Sequence, residues 1–332
     1  MRTRNDSPAE TVGEMGESEL ILRIAEWLGP LNPPVPEGIG DDCAVFLAEG
    51  GSPQLVTVDP VIEGCHFDAS VPPEAVGAKL LKRNISDVAA MGGRPRRAVL
   101  SLALPAATRL DWLRRFFDGL GEVAGEHHVK IVGGDVAEID GPCSAFLTLL
   151  GEAAGTRVLT RKGGKVGDWL MVTGALGGSL GGHHHAFTPR VEEGVWLAGR
   201  TEVRAMIDLS DGLAKDLPAL LPLGCQAELD WEALPLSAEL KRTARNREDG
   251  WRHALTDGED YELLFVLDHS VRPQAFLREW AKRFACPLTL LGRIVAAPEV
   301  EPGAPAILPP ESCPELVLDP AYEHFRRKPG KA

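Results

Sequence analysis

Aspartates joined to glycine or to the end of an apolar strand recur along this chain, and they restrict it to folds in which many strand ends carry acid. Five such places are Gly40-Asp41-Asp42, Val58-Asp59, Gly133-Gly134-Asp135, Ile207-Asp208-Leu209-Ser210-Asp211-Gly212 and Gly258-Glu259-Asp260. Asp87, on a helix, makes a sixth. A lone Asp beside Gly is a turn residue, and surface acids normally interleave with lysines on helix faces. Five at glycines or strand ends and a sixth on a helix fit neither pattern and point to a shared purpose.

The elements between these acids alternate in kind. Apolar positions at Leu20, Ile21, Ile24, Ala25 and Leu28 recur at helical spacing up to Gly29. A Pro/Gly-rich loop (33–40) leads to strands expected at 44–47 and 55–58, the second stopping at Asp59. From Pro72 a helix of about five turns is expected, with proline at its start and Gly92-Gly93 at its end. Ala78, Leu81, Ile85 and Val88 form its apolar stripe, while Leu80, Asn84, Asp87 and Met91 share the neighbouring face, so Asn84 and Asp87 can act together. Strands at 98–104, 130–132 and 145–151 and a helix from 110 to about 127 complete an α+β first half. The second half offers strands at 169–172 and 261–267 and a strand–loop–helix at 205–217.

Composition sets the class. The 332 residues, 44% hydrophobic and 25% charged, describe a folded soluble chain long enough for two domains. A net charge of −13 argues against nucleic acid as a partner. Six scattered cysteines show neither zinc nor disulfide spacing, so reduced thiols are expected. The polar N-terminus lacks an apolar signal region and no run is long enough to span a bilayer, so a cytoplasmic location is expected.

An acidic protein that handles phosphorylated molecules must cancel the repulsion between like charges. Magnesium held by several carboxylates does this, since it prefers hard oxygen ligands and shares its shell with phosphate. Neither the Walker-type loop nor the dinucleotide fingerprint occurs, and the protein-kinase motifs are missing. Any bound ATP must therefore be held by another architecture.

In order and over nearly the whole chain, the motifs resemble those of the thiamine-monophosphate kinase family, within the aminoimidazole-ribonucleotide-synthetase-like superfamily. They are the stretch from Gly38 to Val45, Val56-Thr57-Val58-Asp59 with Glu63-Gly64-Cys65-His66-Phe67, the run from Asn84 to Gly92, Gly133-Gly134-Asp135, Arg161 with Gly167-Asp168, the stretch from Ile207 to Leu213, and the stretch from Gly258 to Leu263. The resemblance implies a two-domain α+β fold: an N-terminal mixed sheet with helices on one face, which dimerises, and a C-terminal α/β domain over the cleft. The expected division is a tail at 1–19, an ATP- and magnesium-binding dimerisation domain at 20–153, and a covering domain at 154–332.

It also implies an activity, transfer of the γ-phosphoryl group of ATP to thiamine monophosphate, with several Mg²⁺ ions, in a homodimer. By matched position, Asp42, Thr57, Asp59, Asp87, Asp135, Asp208 and Asp211 are the implied metal ligands. Gly134, Asp135, Arg161 and Ser210 are the implied nucleotide contacts, and His66, Glu259 and Tyr322 the implied substrate contacts. No separate catalytic base is implied, because a phosphate nucleophile is already anionic.

Some positions differ from the family pattern. Val58 stands where Thr is usual, Val136-Ala137 replaces threonines after Gly-Gly-Asp, and the segment between Gly174 and Pro189 is short. That segment holds His183-His184-His185, for which a solvated loop is expected, because three adjacent imidazoles cannot all point at one metal. Two other readings stay open: a superfamily enzyme acting on a different small substrate, and a nucleotide sensor without turnover.

Overall fold

A computed structural model describes residues 11–12, 15–47, 51–297, 305–314 and 316. In chain order the first half runs α1 (Glu17–Leu28), β1 (Ala44–Leu47), β2 (Pro53–Ile62), α2 (Pro73–Ala90), β3 (Gly93–Leu104), α3 (Leu110–Glu126), β4 (Lys130–Glu138) and β5 (Ser144–Ala153). The second runs β6 (Trp169–Thr173), α4 (His183–Ala186), α5 (Val191–Ala198), β7 (Val203–Asp208), α6 (Leu213–Asp216), β8 (Cys225–Leu229), α7 (Ala238–Thr243), α8 (Arg247–Thr256), β9 (Leu263–Leu267), α9 (Pro273–Arg283) and β10 (Leu288–Ala296).

The first sheet has strand order β1-β2-β5-β3-β4 and is mixed, because β3 and β4 run parallel. The second, β7-β9-β6-β10-β8, is antiparallel throughout. Its β9 is buried at every position. Leu264 and Val266 face one core with helix α8, and Leu263, Phe265 and Leu267 face another with α9, so this sheet is covered on both sides. Among the described residues the first sheet is covered on one side only. There Leu100, Leu102, Leu147 and Leu149 pack under α2 and α3, whereas Val58, Val99 and Phe146 on the opposite face are 61%, 37% and 40% exposed.

Two strands expected to stop at an acid run through it. Strand β2 continues past Asp59 to Ile62, in register with β5 as far as Ser144. Its other neighbour, β1, pairs only with residues 53–56, so Pro60 lies on an open edge where a missing N–H is tolerated. Strand β4 likewise passes through Gly133-Gly134-Asp135 to Glu138. A Cβ at Gly134 would stand 1.8 Å from the Leu100 carbonyl oxygen. The glycine marks a close approach of β4 to β3 and not the end of a strand.

Helix α2 begins on Pro73 and ends before Gly92, whose φ of 71° suits glycine. Its burial extends well beyond one stripe, since Lys79, Leu80, Asn84 and Ser86 are as buried as Leu81 and Ile85. The reason is position: α2 packs on α3 and the first sheet, and its other side meets α4, α5 and β7 of the second half. Glycines allow the tight crossing with α3, where a Cβ at Gly77 would come within 1.9 Å of the Phe116 carbonyl oxygen. Polar residues on α2 are therefore presented to the junction of the two sheets.

Candidate active site

At that junction four carboxylates from four places meet. Strand β2 supplies Asp59, α2 supplies Asp87, β7 ends on Asp208, and the loop before β1 supplies Asp42. Asp208 and Asp42 are buried and Asp87 is half-buried, and desolvation raises the pKa of all three. For Asp87 the next causes are the charges of Asp59, Asp208 and Asp42, and its carboxyl is held well above the usual range. Asp208 is pushed up to about 7, first by burial and then by Asp42. The adjacent Asp41 rises to about 6 through burial and Asp42.

Neutral donors and cations hold these acids in place. The Thr57 hydroxyl donates to Asp87 Oδ2 at 2.5 Å, and the Ser86 hydroxyl donates to Asp208 Oδ2 at 2.6 Å. Asn84 accepts the Asp59 backbone N–H at 3.0 Å and donates to the Leu80 carbonyl at 2.8 Å, so it fixes β2 against α2. Arg161 donates to Asp42 Oδ1 from Nη2 at 2.5 Å and from Nε at 3.2 Å. Its backbone N–H donates to Asp41. Burial works against the guanidinium charge, but Asp42, Asp208 and Asp41 outweigh it.

Beside the cluster lies a cleft of about 700 Å³ whose walls include Ile21, Ile24, Ile39, Asp41, Asp42 and Thr57. Its apolar wall and acidic floor match an aromatic group joined to a metal-bound polyphosphate. Asp42 Oδ2 is buried and has no hydrogen-bond partner among the described residues. An orphaned carboxylate oxygen within mutually repelling acids is what a hard divalent cation satisfies. Asp42, Asp59, Asp87 and Asp208 offer such oxygens around the junction, without any three of them lying within 4.8 Å of one another as the ligands of a single closely held ion would.

Other expected site residues lie elsewhere. Asp135 pairs in register with Ser101, which is opposite Phe146, on the uncovered face of the first sheet. Alternation along the strands thus turns it away from Asp59, which is opposite Leu147 on the covered face. Asp211 meets Lys215 at 2.6 Å, and Lys215 also holds Glu17 of α1 at 2.8 Å. Ser210 accepts the Glu259 N–H through its carbonyl at 2.7 Å, which brings the two loops together. His66 is buried and its Nδ1 accepts the Ile62 N–H at 3.1 Å. Tyr322 lies outside the described residues.

The histidine segment is not the solvated loop that was expected. It forms the one-turn α4, and His184 is turned inward, 3.1 Å from Lys79 Nζ and 3.5 Å from Glu259 Oε2. Neighbouring acids in the second half hold this region: Glu262 takes both branches of Arg190 at 2.6 and 2.7 Å, and the stacked rings of Phe187 and Tyr261 lie 3.9 Å apart.

Sequence reasoning missed Lys79, Arg83 and Ser86. Arg83 donates to the Pro60 carbonyl at 2.6 Å and pairs with Asp59 at 3.4 Å. Lys79, Arg83 and Asp87 are spaced i, i+4, i+8, and this single charged face on a helix bordered by glycines was the available signal.

Two α+β halves with acids gathered at their junction suit an ATP-dependent phosphotransferase, and residues 40–153 match the model of the AIR synthase related protein N-terminal domain. The chain is 37% identical over 273 residues to the thiamine-monophosphate kinase of Rhodopirellula baltica, covering 79% of this chain and 84% of that protein. It is 35% identical over 276 residues to that of Salmonella typhimurium, covering 76% and 82%. Among solved structures, AaThiL complexed with AMPPCP and TMP superposes with a TM-score of 0.75 at 30% identity, covering 89% of this chain and 98% of that one. The chain belongs to the thiamine-monophosphate kinase family.

Proposed function

We infer that this protein transfers the γ-phosphoryl group of ATP to the phosphate of thiamine monophosphate, giving thiamine diphosphate. The observation that carries the reading is the convergence of Asp42, Asp59, Asp87 and Asp208 at one junction, with Arg161 beside them. Family membership names the acceptor, and the acid cluster supplies the site.

In this reading Asp42, Asp59, Asp87 and Asp208 hold magnesium, with Thr57 and Asp211 as further oxygen donors. Bound magnesium supplies the positive charge that lets two phosphorylated reactants approach. The chain itself positions them. Arg161 offers a fixed cation to the nucleotide phosphates, and Ser210 lines the same side. The acceptor phosphate is already a nucleophile, so the site needs no strong base, and acids tied down by Thr57, Ser86 and Asn84 give the preorganisation on which phosphoryl transfer depends. Asp211 serves by exchanging Lys215 for the ion. His66, Glu259 and Tyr322 are the contacts proposed for the acceptor.

Two finer points belong to the same proposal. The protein acts as a homodimer that closes over the uncovered sheet face, a reading supported by the exposed Val58, Val99 and Phe146. Gly134 and Asp135 lie along that sheet edge, so in the dimer they act at the interface. The protein works in the cytoplasm, and among the described residues no helix is long and apolar enough to cross a membrane.

The test is product analysis with ATP, Mg²⁺ and thiamine monophosphate. Formation of ADP and thiamine diphosphate in equal amounts is expected. Tight nucleotide binding without product would favour the sensor, and phosphorylation of another ester only would favour a different acceptor.

A further inference from the structure

Lys79 lies near the start of α2, fully buried, yet outside the acid cluster. Its ammonium reaches Glu259 Oε1 at 2.6 Å, the His66 carbonyl oxygen at 2.9 Å and His184 Nδ1 at 3.1 Å. An ammonium has three protons, so this set of acceptors is complete. The three come from separate parts of the fold: the loop after β2, the loop before β9, and α4.

Protonation states follow from these contacts. Burial lowers the Lys79 pKa and Glu259 opposes that fall, while His184 is pushed down to about 4 by burial and then by Lys79. His184 is therefore neutral at pH 7 and its Nδ1 can accept. Its Nε2 then carries the proton and faces His185 Nδ1 at 3.2 Å.

Glu259 has few other anchors. Its φ is 53°, a conformation that residues other than glycine rarely adopt, and that of Tyr261 is 51°. Backbone hydrogen bonds from Glu259 N–H to Ser210 and from Tyr261 N–H to Leu209 hold the loop from below. The side chain remains 22% exposed, and its second oxygen, Oε2, lies near a His184 nitrogen that has no proton to give it.

We propose that Lys79 is a positioning residue for the acceptor subsite: its ammonium fixes the Glu259 carboxylate against the His66 backbone and leaves Oε2 to receive an amino group or a cationic heteroaromatic ring of the substrate. This rests on the reading that Glu259 meets thiamine monophosphate. Being fully buried, Lys79 touches no substrate itself. It joins helix α2 of the first half to a loop of the second, so the acceptor subsite forms only when the two halves are docked.

The test compares Lys79→Met with the unchanged protein. The Glu259 carboxylate is partly solvated and can rehydrate, so the variant should fold. The expected result is a KM for thiamine monophosphate raised about tenfold, with the KM for ATP within about threefold. Amide hydrogen exchange at Glu259 and Tyr261 should quicken by about tenfold. Lys79→Met/Glu259→Gln should add little to either single change, because both act through one contact.

An unchanged KM for thiamine monophosphate, or unchanged exchange in the 258–261 loop, would overturn the proposal. Should Lys79→Met fail to fold, His184→Gln and His184→Leu decide the matter. Glutamine can accept from Lys79 and should retain more of the acceptor affinity than leucine; equal losses would overturn the proposal. Absence of thiamine monophosphate turnover in the unchanged protein would defeat the functional reading alone, since the exchange measurement still reads what Lys79 holds in place.

Discussion

The Ser86 hydroxyl, in the middle of α2, donates to the Asp208 carboxylate at 2.6 Å, and so ties the end of a strand in the second sheet to the helix that packs on the first. Neither half alone could assemble this acid cluster. Asp208 arrives from one, Asp59 and Asp87 from the other, and Arg161 joins them from the segment between. The site is a property of how the two halves dock.

Asp87→Asn is expected to lower turnover by at least about a thousandfold, the scale of removing a central electrostatic contact in phosphoryl transfer. The same change should raise the thermal midpoint of the metal-free protein. Burial and three neighbouring acids hold the Asp87 carboxyl well above its ordinary pKa, so its charge opposes folding. Parallel assays of rate and melting check both halves, and a normal rate would refute the metal role.

Stability without metal should fall as pH rises from about 4 to about 8. Asp41 and Asp208 have folded pKa values of about 6 and about 7, above their unfolded values, and Asp42 and Asp87 shift the same way. The folded state thus binds more protons than the unfolded state in this window, and the stability present below it is lost as these acids ionise. His184, lowered to about 4, acts in the opposite direction, as do His127 and His185, also lowered by burial, but the raised carboxyls outnumber these three. Melting curves at several pH values, with and without Mg²⁺, read the effect. Magnesium should flatten the dependence by favouring the ionised cluster.

Gly134→Ala should destabilise the protein by about 2–3 kcal/mol, because a Cβ would lie 1.8 Å from the Leu100 carbonyl oxygen and force β4 away from β3. Urea denaturation measures this. A loss below about 0.5 kcal/mol would show that the strands can separate at little cost.

Asp135 provides a test of the dimer. Asp135→Asn and Asp87→Asn should each abolish activity, while random mixing of the two proteins should restore about a quarter of it, since half of the dimers would hold one intact site. Activity absent from the mixture would place Asp135 in its own chain's site. Val58→Glu, on the uncovered sheet face, should yield monomers by sedimentation.

Much of this is legible in the sequence. The proline at the start of α2 and Gly92 at its end place the helix to within a residue or two, and the acids of the cluster stand out near a glycine, at a strand end or, for Asp87, on the helix face shared with Asn84. What was hidden depended on long-range contact. A lysine such as Lys79 reads as a surface residue until a second sheet covers its helix, and His184 reads as a loop residue until its contact with Lys79 of α2 is seen. Asp135 shows the converse limit: the motif was found, but only strand register reveals which face of the sheet it occupies.

Product formation tests the central claim most directly. With ATP and thiamine monophosphate, phosphorus NMR should show thiamine diphosphate and ADP appearing together when Mg²⁺ is added, and neither when it is chelated. Thiamine diphosphate formed equally well in chelator, or by Asp87→Asn at the normal rate, would contradict a site built from magnesium-holding acids.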